Sequence, residues 1–151
     1  VAEVQAGSKA PDFTVQTDRG EISLADLLEK GRLVLSFHFE DSTPTCTTQV
    51  TSLKDSYETL AEMGASVLAV SSDTLESHEL FAGRLGGLPF ALASDPDLRL
   101  ARAYGVVDES GKRARRAVFV IDIDGTVLLA IPYYNPANLG QFEQIFKALG
   151  Y

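Results

Sequence analysis

Short apolar runs separated by turn-forming residues divide the chain into alternating strands and helices. Ala10 to Thr17 alternates apolar and polar residues, as an edge strand does, and Asp18-Arg19-Gly20 turns it into a short return over Glu21 to Leu24. Ser23 is placed to cap a brief helix over Ala25 to Glu29. Leu33 to Phe37 is apolar and partly β-branched, the pattern of a buried strand. From Cys46, Val50, Leu53, Tyr57 and Leu60 recur at helical spacing, predicting a helix to about Met63 that Gly64 ends. Ala65 to Ser71 predicts a second buried strand, and Asp73 to Leu85 a helix whose apolar positions are Leu75, Leu80, Phe81 and Leu85.

Gly86-Gly87-Leu88-Pro89-Phe90 breaks that helix, and Ala91 to Asp95 leads out to a short helix over Pro96 to Tyr104. Arg116 to Asp122 is a third strong strand pattern. Ile123-Asp124-Gly125-Thr126 makes a hairpin turn, and Val127 to Ile131 pairs back antiparallel. Leu139 to Leu149 is the last amphipathic helix. Helices alternating with buried strands, followed by a hairpin, predict an α/β fold with a central mixed sheet flanked by helices, in one domain over residues 1–151.

Composition narrows the functional classes. A chain of 151 residues, 45% hydrophobic and 23% charged, is ordinary for a globular domain and long enough to bury roughly two-thirds of its unfolded surface. A formal charge of −8 argues against a nucleic-acid or anionic-membrane partner, and no apolar run approaches the roughly 18 residues of a membrane span. The stretch from Val1 to Gly7 lacks the charged-then-apolar pattern of a leader. The single cysteine excludes an internal disulfide framework and a cysteine-rich zinc site, and it fits a reducing, cytoplasmic setting. His38 and His78 stand at spacings unrelated to Cys46, so no metal site is predicted. His38, ending a buried strand, reads as a core histidine, and His78 as a solvated residue on a helix face.

The only cysteine sits where a strand hands over to a helix. Thr43 suits the N-cap, and Pro44 suits the first helical position, where an N–H has no intrahelical partner. Cys46 then falls in the first turn, where free N–H groups and the positive end of the helix dipole favour a thiolate. That predicts a nucleophilic sulfur at the mouth of a strand–loop–helix.

Four blocks in order carry a resemblance: Ala10-Pro11-Asp12-Phe13, Thr43 to Gln49, Val70-Ser71-Ser72-Asp73, and Arg116 ahead of Phe119 to Gly125. Together, from about Gly7 to Leu149, they resemble the peroxiredoxins of the AhpC/TSA superfamily, and within them the bacterioferritin-comigratory, thioredoxin-peroxidase subgroup. The resemblance implies a thioredoxin-like fold and thiol-based peroxide reduction without a cofactor. It assigns Cys46 as nucleophile, Thr43 and Arg116 as catalytic donors, and Phe39, Thr45 and Gln49 to the substrate site. The family pattern P-x-x-x-T-x-x-C is broken at its first position, which is Phe39 here. His38 replaces the usual preceding aromatic, and Gln49 replaces the glutamate three residues after the cysteine.

Thiolate attack on an O–O bond needs a sulfur anion and donors for both oxygens. Cys46 supplies the first, while the Thr43 hydroxyl, the Arg116 fork and the Cys46 N–H are the expected donors. Positions where related chains carry a resolving cysteine, such as Thr51, hold other residues. A one-cysteine peroxidase recycled by an external thiol follows, whether thioredoxin-like, glutaredoxin-like or of low molecular weight. It is expected as a monomer or homodimer. The alternatives are a peroxide-sensing or thiol-binding regulatory protein with little turnover, and an inert thioredoxin-fold interaction module.

Overall fold

Seven strands and six helices alternate along residues 4–150, which the computed structural model describes. They are β1 (Thr14–Thr17), β2 (Gly20–Ser23), α1 (Leu24–Leu28), β3 (Arg32–Phe37), α2 (Pro44–Asp55), α3 (Tyr57–Glu62) and β4 (Ala65–Ser71). Then come α4 (Leu75–Arg84), β5 (Ala91–Ser94), α5 (Arg99–Ala103), β6 (Ala117–Ile121), β7 (Val127–Ile131) and α6 (Leu139–Ala148). The leader-pattern reading falls partly on residues 1–3, outside the described residues. No helix among the described residues is long and apolar enough to cross a membrane.

The strands form one mixed sheet in the order β2-β1-β5-β4-β3-β6-β7. β3 pairs parallel with β4 and antiparallel with β6, so both of its edges are satisfied and a core cluster lies on each of its faces. Its alternation divides the core between them. Leu33, Leu35 and Phe37 enter one cluster with Tyr104 and Phe119, while Val34 enters the other with Val50, Leu53, Phe81 and Ile145. Phe37, Tyr104 and Phe119 meet at ring separations of 5.2–5.9 Å, which fixes the carboxyl end of β3.

Several sequence expectations are corrected. β1 is not an edge strand, because β2 covers one side and β5 the other. Ala91 to Ser94 is itself a strand, too short and alanine-rich to announce itself by pattern, and it pairs with β4 and β1. The helix expected from Cys46 to Met63 is two helices broken at Ser56. Thr48 and Ser52 return their hydroxyls to the carbonyls four residues back, at 3.1 and 2.9 Å, and such back-bonding bends a helix. On α4, Leu80 is 60% exposed while His78 is fully buried, so the predicted face is rotated.

Gly31 enters β3 at φ 135, and a Cβ there would be driven into the Gly64 carbonyl oxygen, which accepts from Arg32 N–H. Gly83, inside α4, has open space around it. Gly31→Ala should therefore cost about 1–3 kcal/mol, while Gly83→Ala should gain about 0.4–1 kcal/mol. Urea unfolding of the two variants beside the parent measures both signs.

Candidate active site

The loop of residues 38–43 carries the chain from the buried end of β3 to the start of α2. Thr43 is the N-cap by backbone conformation, Pro44 starts the helix, and Cys46 lies in its first turn. The Thr43 side chain makes no cap bond; its hydroxyl donates instead to the Glu40 carbonyl at 3.0 Å. Ser42 adopts φ 67, a left-handed conformation that a non-glycine residue holds only under constraint.

Cys46 is fully buried, which corrects the expected open mouth. Its sulfur accepts a hydrogen bond from the Phe39 N–H at 3.2 Å. The bond exists because residue 39 is not proline, which has no N–H to give. β3 has ended by this point, since the last ladder-like bond is His38 N–H to the Val70 carbonyl at 2.9 Å.

A cleft of about 530 Å³ opens beside this turn, lined by Phe39, Thr45, Asp108, Arg115, Arg116, Tyr133, Tyr134 and Asn135. Three of the sequence-predicted residues, Phe39, Thr45 and Arg116, thus meet in one cleft. Cys46 and Thr43 are not among its lining residues, whereas Phe39, whose N–H bonds the sulfur, and Thr45, which precedes Cys46 in the chain, are. The two adjacent arginines divide their roles. Arg115 donates to the carbonyls of Pro132, Val107 and Gly105 at 2.8–3.1 Å and stacks 4.3 Å from the Tyr133 ring centroid. Arg116 keeps a buried Nε with no hydrogen-bond partner, an arrangement that favours an incoming acceptor. Burial pushes the Tyr134 hydroxyl up to about 12, so it stays a neutral donor in the cleft wall.

Gln49 lies away from the cleft, fully buried on the sheet side of α2. Its amide donates to Ser36 Oγ at 2.8 Å and to the Phe37 carbonyl at 2.9 Å, while its Oε1 has no partner. A glutamate there would turn a donor toward β3 into an acceptor-only anion. Gln49 thus fastens the helix bearing Cys46 to the end of β3.

Sequence reasoning missed the groups beneath the loop. Asp41 binds both histidines, His38 Nε2 at 2.7 Å and His78 Nδ1 at 2.7 Å, and His78 Nε2 reaches the Ala93 carbonyl at 2.8 Å. The expected solvated His78 is corrected, because burying it between a carboxylate and a carbonyl satisfies both ring nitrogens. His38 is the core histidine its position predicts. No helical or strand periodicity brings residues 38, 41 and 78 together, so sequence carried no signal for them. His38, Asp41 and Asp73 offer ligand atoms within 4.8 Å of one another, and His38 Nε2 and both carboxylates take part in hydrogen bonds.

Comparison with known proteins identifies the family. A model of the AhpC/TSA family matches residues 6–130. A peroxiredoxin of Thermoplasma volcanium is 35% identical over 97% of this chain and 73% of its own length. The chloroplastic peroxiredoxin Q of Gentiana triflora is 38% identical over 85% of this chain and 59% of its own. The crystal structure of the peroxidoxin BcpB of Mycobacterium tuberculosis superposes with a TM-score of 0.87 at 28% identity, covering 97% of each chain. With its single cysteine at a helix terminus of a thioredoxin-like fold, the chain belongs to the AhpC/TSA family, as a one-cysteine peroxiredoxin acting as a thiol-dependent peroxidase.

Proposed function

We propose that Cys46 reduces hydrogen peroxide or an organic hydroperoxide admitted through the cleft between Phe39, Thr45 and Arg116, and that an external thiol recycles it. The observation that carries this reading is a sulfur already bonded by the Phe39 N–H, next to a cleft holding an arginine with an unused buried donor. The Cys46 thiolate attacks the terminal peroxide oxygen. An S–O bond forms, the O–O bond breaks, and the electron pair leaves on the distal oxygen as hydroxide or alkoxide, which a proton converts to water or alcohol. Cys46 is left as the sulfenic acid. An incoming thiol condenses with it, releasing water and forming a mixed disulfide, and a second thiol equivalent returns the Cys46 thiol.

Because the sulfur is covered, Phe39 and Thr45 must part for the peroxide to arrive. Arg116 then stabilises the developing oxygen charge, and Thr43 contributes its hydroxyl once it rotates off the Glu40 carbonyl. A cleft of about 530 Å³ walled by Tyr133 and Tyr134 is large for hydrogen peroxide alone and accommodates an organic hydroperoxide. The recycling thiol is a thioredoxin-like or glutaredoxin-like protein or a low-molecular-weight thiol, in the cytoplasm. The working unit is a monomer or homodimer.

Cys46→Ser should abolish peroxide consumption with added thiol while leaving the fold intact, since serine is a far weaker nucleophile at neutral pH. Steady-state peroxide loss, paired with a thermal melt, measures this; turnover within a few-fold of the parent sinks the assignment. A parent protein that oxidises stoichiometrically but does not turn over would point to a sensor.

Arg116→Ala and Arg116→Lys should each slow single-turnover oxidation by about 10²–10³, because a point charge does not replace the fork. Thr43→Val should slow it and Thr43→Ser largely retain it. Stopped-flow oxidation of the reduced protein separates these effects from recycling.

At residue 39 the N–H and the ring are separable. Phe39→Pro removes the donor to sulfur and should slow both peroxide attack and iodoacetamide alkylation near neutral pH by about tenfold, which corresponds to about 1.4 kcal/mol. Phe39→Ala keeps the N–H, widens the cleft and should speed reaction with bulky hydroperoxides relative to hydrogen peroxide. Rates with cumene hydroperoxide and hydrogen peroxide on both variants check the pair.

A further inference from the structure

The chain's two histidines are both fully buried, and both spend a ring nitrogen on the same carboxylate. That carboxylate belongs to Asp41, two residues after the N–H that bonds the sulfur and two before the N-cap of α2. Ser77 Oγ donates to it at 2.9 Å, and the Asp41 N–H donates to Asp73 Oδ2 at 2.9 Å, which also accepts from Ser71 Oγ at 2.5 Å. From one residue of the reactive loop, bonds therefore run to His38, the residue that follows β3, to the turn before α4 and to α4 itself.

The partners dictate where the protons are. His78 Nδ1 faces a carboxylate oxygen and Nε2 faces the Ala93 carbonyl, and both groups only accept. Both nitrogens must therefore carry a proton, which makes His78 an imidazolium paired with Asp41 out of contact with water. His38 is different. Its Nε2 donates to Asp41 and its buried Nδ1 has no partner, so the neutral Nε2–H tautomer is the one that fits. The charged and titratable groups facing His78 are Asp41 of the loop, Asp73 before α4 and His38 at the end of β3, with ring centroids 6.3 Å apart; β5 presents the Ala93 carbonyl.

We propose that the buried Asp41–His78 ion pair is the positioning device of the reactive loop, holding the Phe39 N–H on the Cys46 sulfur and the α2 N-terminus in place. Phe39 has no fixed φ to shape the loop, and Ser42 holds its left-handed conformation only if something constrains it. The ion pair fixes Asp41, the residue just before Ser42, while Arg84 of α4 donates to the Ser42 hydroxyl from the other side. His78 and Asp41 touch neither sulfur nor cleft, so they act through the loop rather than on the peroxide.

Burial pushes the His78 ring toward losing its proton, but the hydrogen bond and charge of Asp41, the Ala93 carbonyl and the charge of Asp73 outweigh it, and the net shift is up from about 6.5. Burial likewise pushes Asp41 up, and the hydrogen bonds from both histidines together with the charge of His78 outweigh it, holding the carboxyl far below the usual range. The sign follows from these directions. The pair is intact from below the ordinary carboxylate range to above the ordinary histidine range, and it is lost as pH rises through the elevated His78 value. Loop positioning then decays on the alkaline side, where simple thiolate formation would only speed the reaction.

This inference rests on the assignment of Cys46 as nucleophile, and its test has arms that do not depend on it. Nitrogen NMR of the reduced protein at pH 7 should show His78 protonated on both nitrogens and His38 on Nε2 alone; a neutral His78 overturns the proposal. Amide exchange in the unaltered protein should show Phe39 losing protection as His78 titrates, while β4 amides follow only the ordinary pH dependence. Unchanged Phe39 protection through that titration also overturns it. His78→Ala should speed Phe39 exchange at least tenfold relative to β4 and slow Cys46 oxidation by hydrogen peroxide at least tenfold. His78→Asn, which keeps a donor without the charge, should recover part of both and show no alkaline decline. Equal acceleration of Phe39 and β4 amides would mean a merely structural role. If His78→Ala does not fold, the pH arm on the unaltered protein still decides. If the NMR and exchange arms succeed while the parent is inert to peroxide, the peroxidase reading alone fails.

Discussion

The Asp41 carboxylate is shut away from water, so its counter-charge and hydrogen bonds have to come from inside the protein. Bringing an ionised carboxylate into a protein interior costs several kcal/mol unless partners replace its hydration, and removing one partner strands the other. Two imidazoles and a serine hydroxyl meet that need, and they come from the end of β3 and from α4. The loop between β3 and α2 is consequently tied to both, even though almost all of its neighbours in the sheet are apolar. A polar knot at the end of an apolar strand is what turns a packed sheet into a holder for one sulfur.

The same economy governs the cleft. Two consecutive arginines precede β6, and the fold gives them opposite duties. Arg115 is consumed by the backbone carbonyls of Gly105, Val107 and Pro132, which fixes the cleft wall. Arg116 is left with a buried donor to offer. Gln49 and Phe39 stand where the resemblance to the family pattern breaks, and both have a structural use. The Gln49 amide joins α2 to β3, and the Phe39 N–H reaches sulfur.

Local pattern carried the elements whose burial repeats with a period. β3, β4, β6, β7 and α6 lie within a residue of their predicted bounds, because continuous apolar runs and an Asp-Gly turn are local signals. β5 escaped because four small residues, Ala91-Leu92-Ala93-Ser94, become a strand only when β4 and β1 offer them ladders. The break at Ser56 escaped because apolar spacing continued across it, while the hydroxyls of Thr48 and Ser52 bend the helix.

By itself the sequence determined the family, the mixed α/β sheet, the helix-terminal place of Cys46 and the candidacy of Arg116, because motif spacing and hydrophobic period are properties of neighbours along the chain. Only the tertiary structure decided that His78 is buried rather than solvated, that Cys46 is covered, that Arg115 is occupied and Arg116 is not, and that Phe39 bonds the sulfur. Each of these depends on groups 7 to 37 positions apart, or on which carbonyls a packed sheet leaves unpaired. Charge, hydrogen-bond and burial partners at such separations are set by how the elements stack, and no local pattern encodes that.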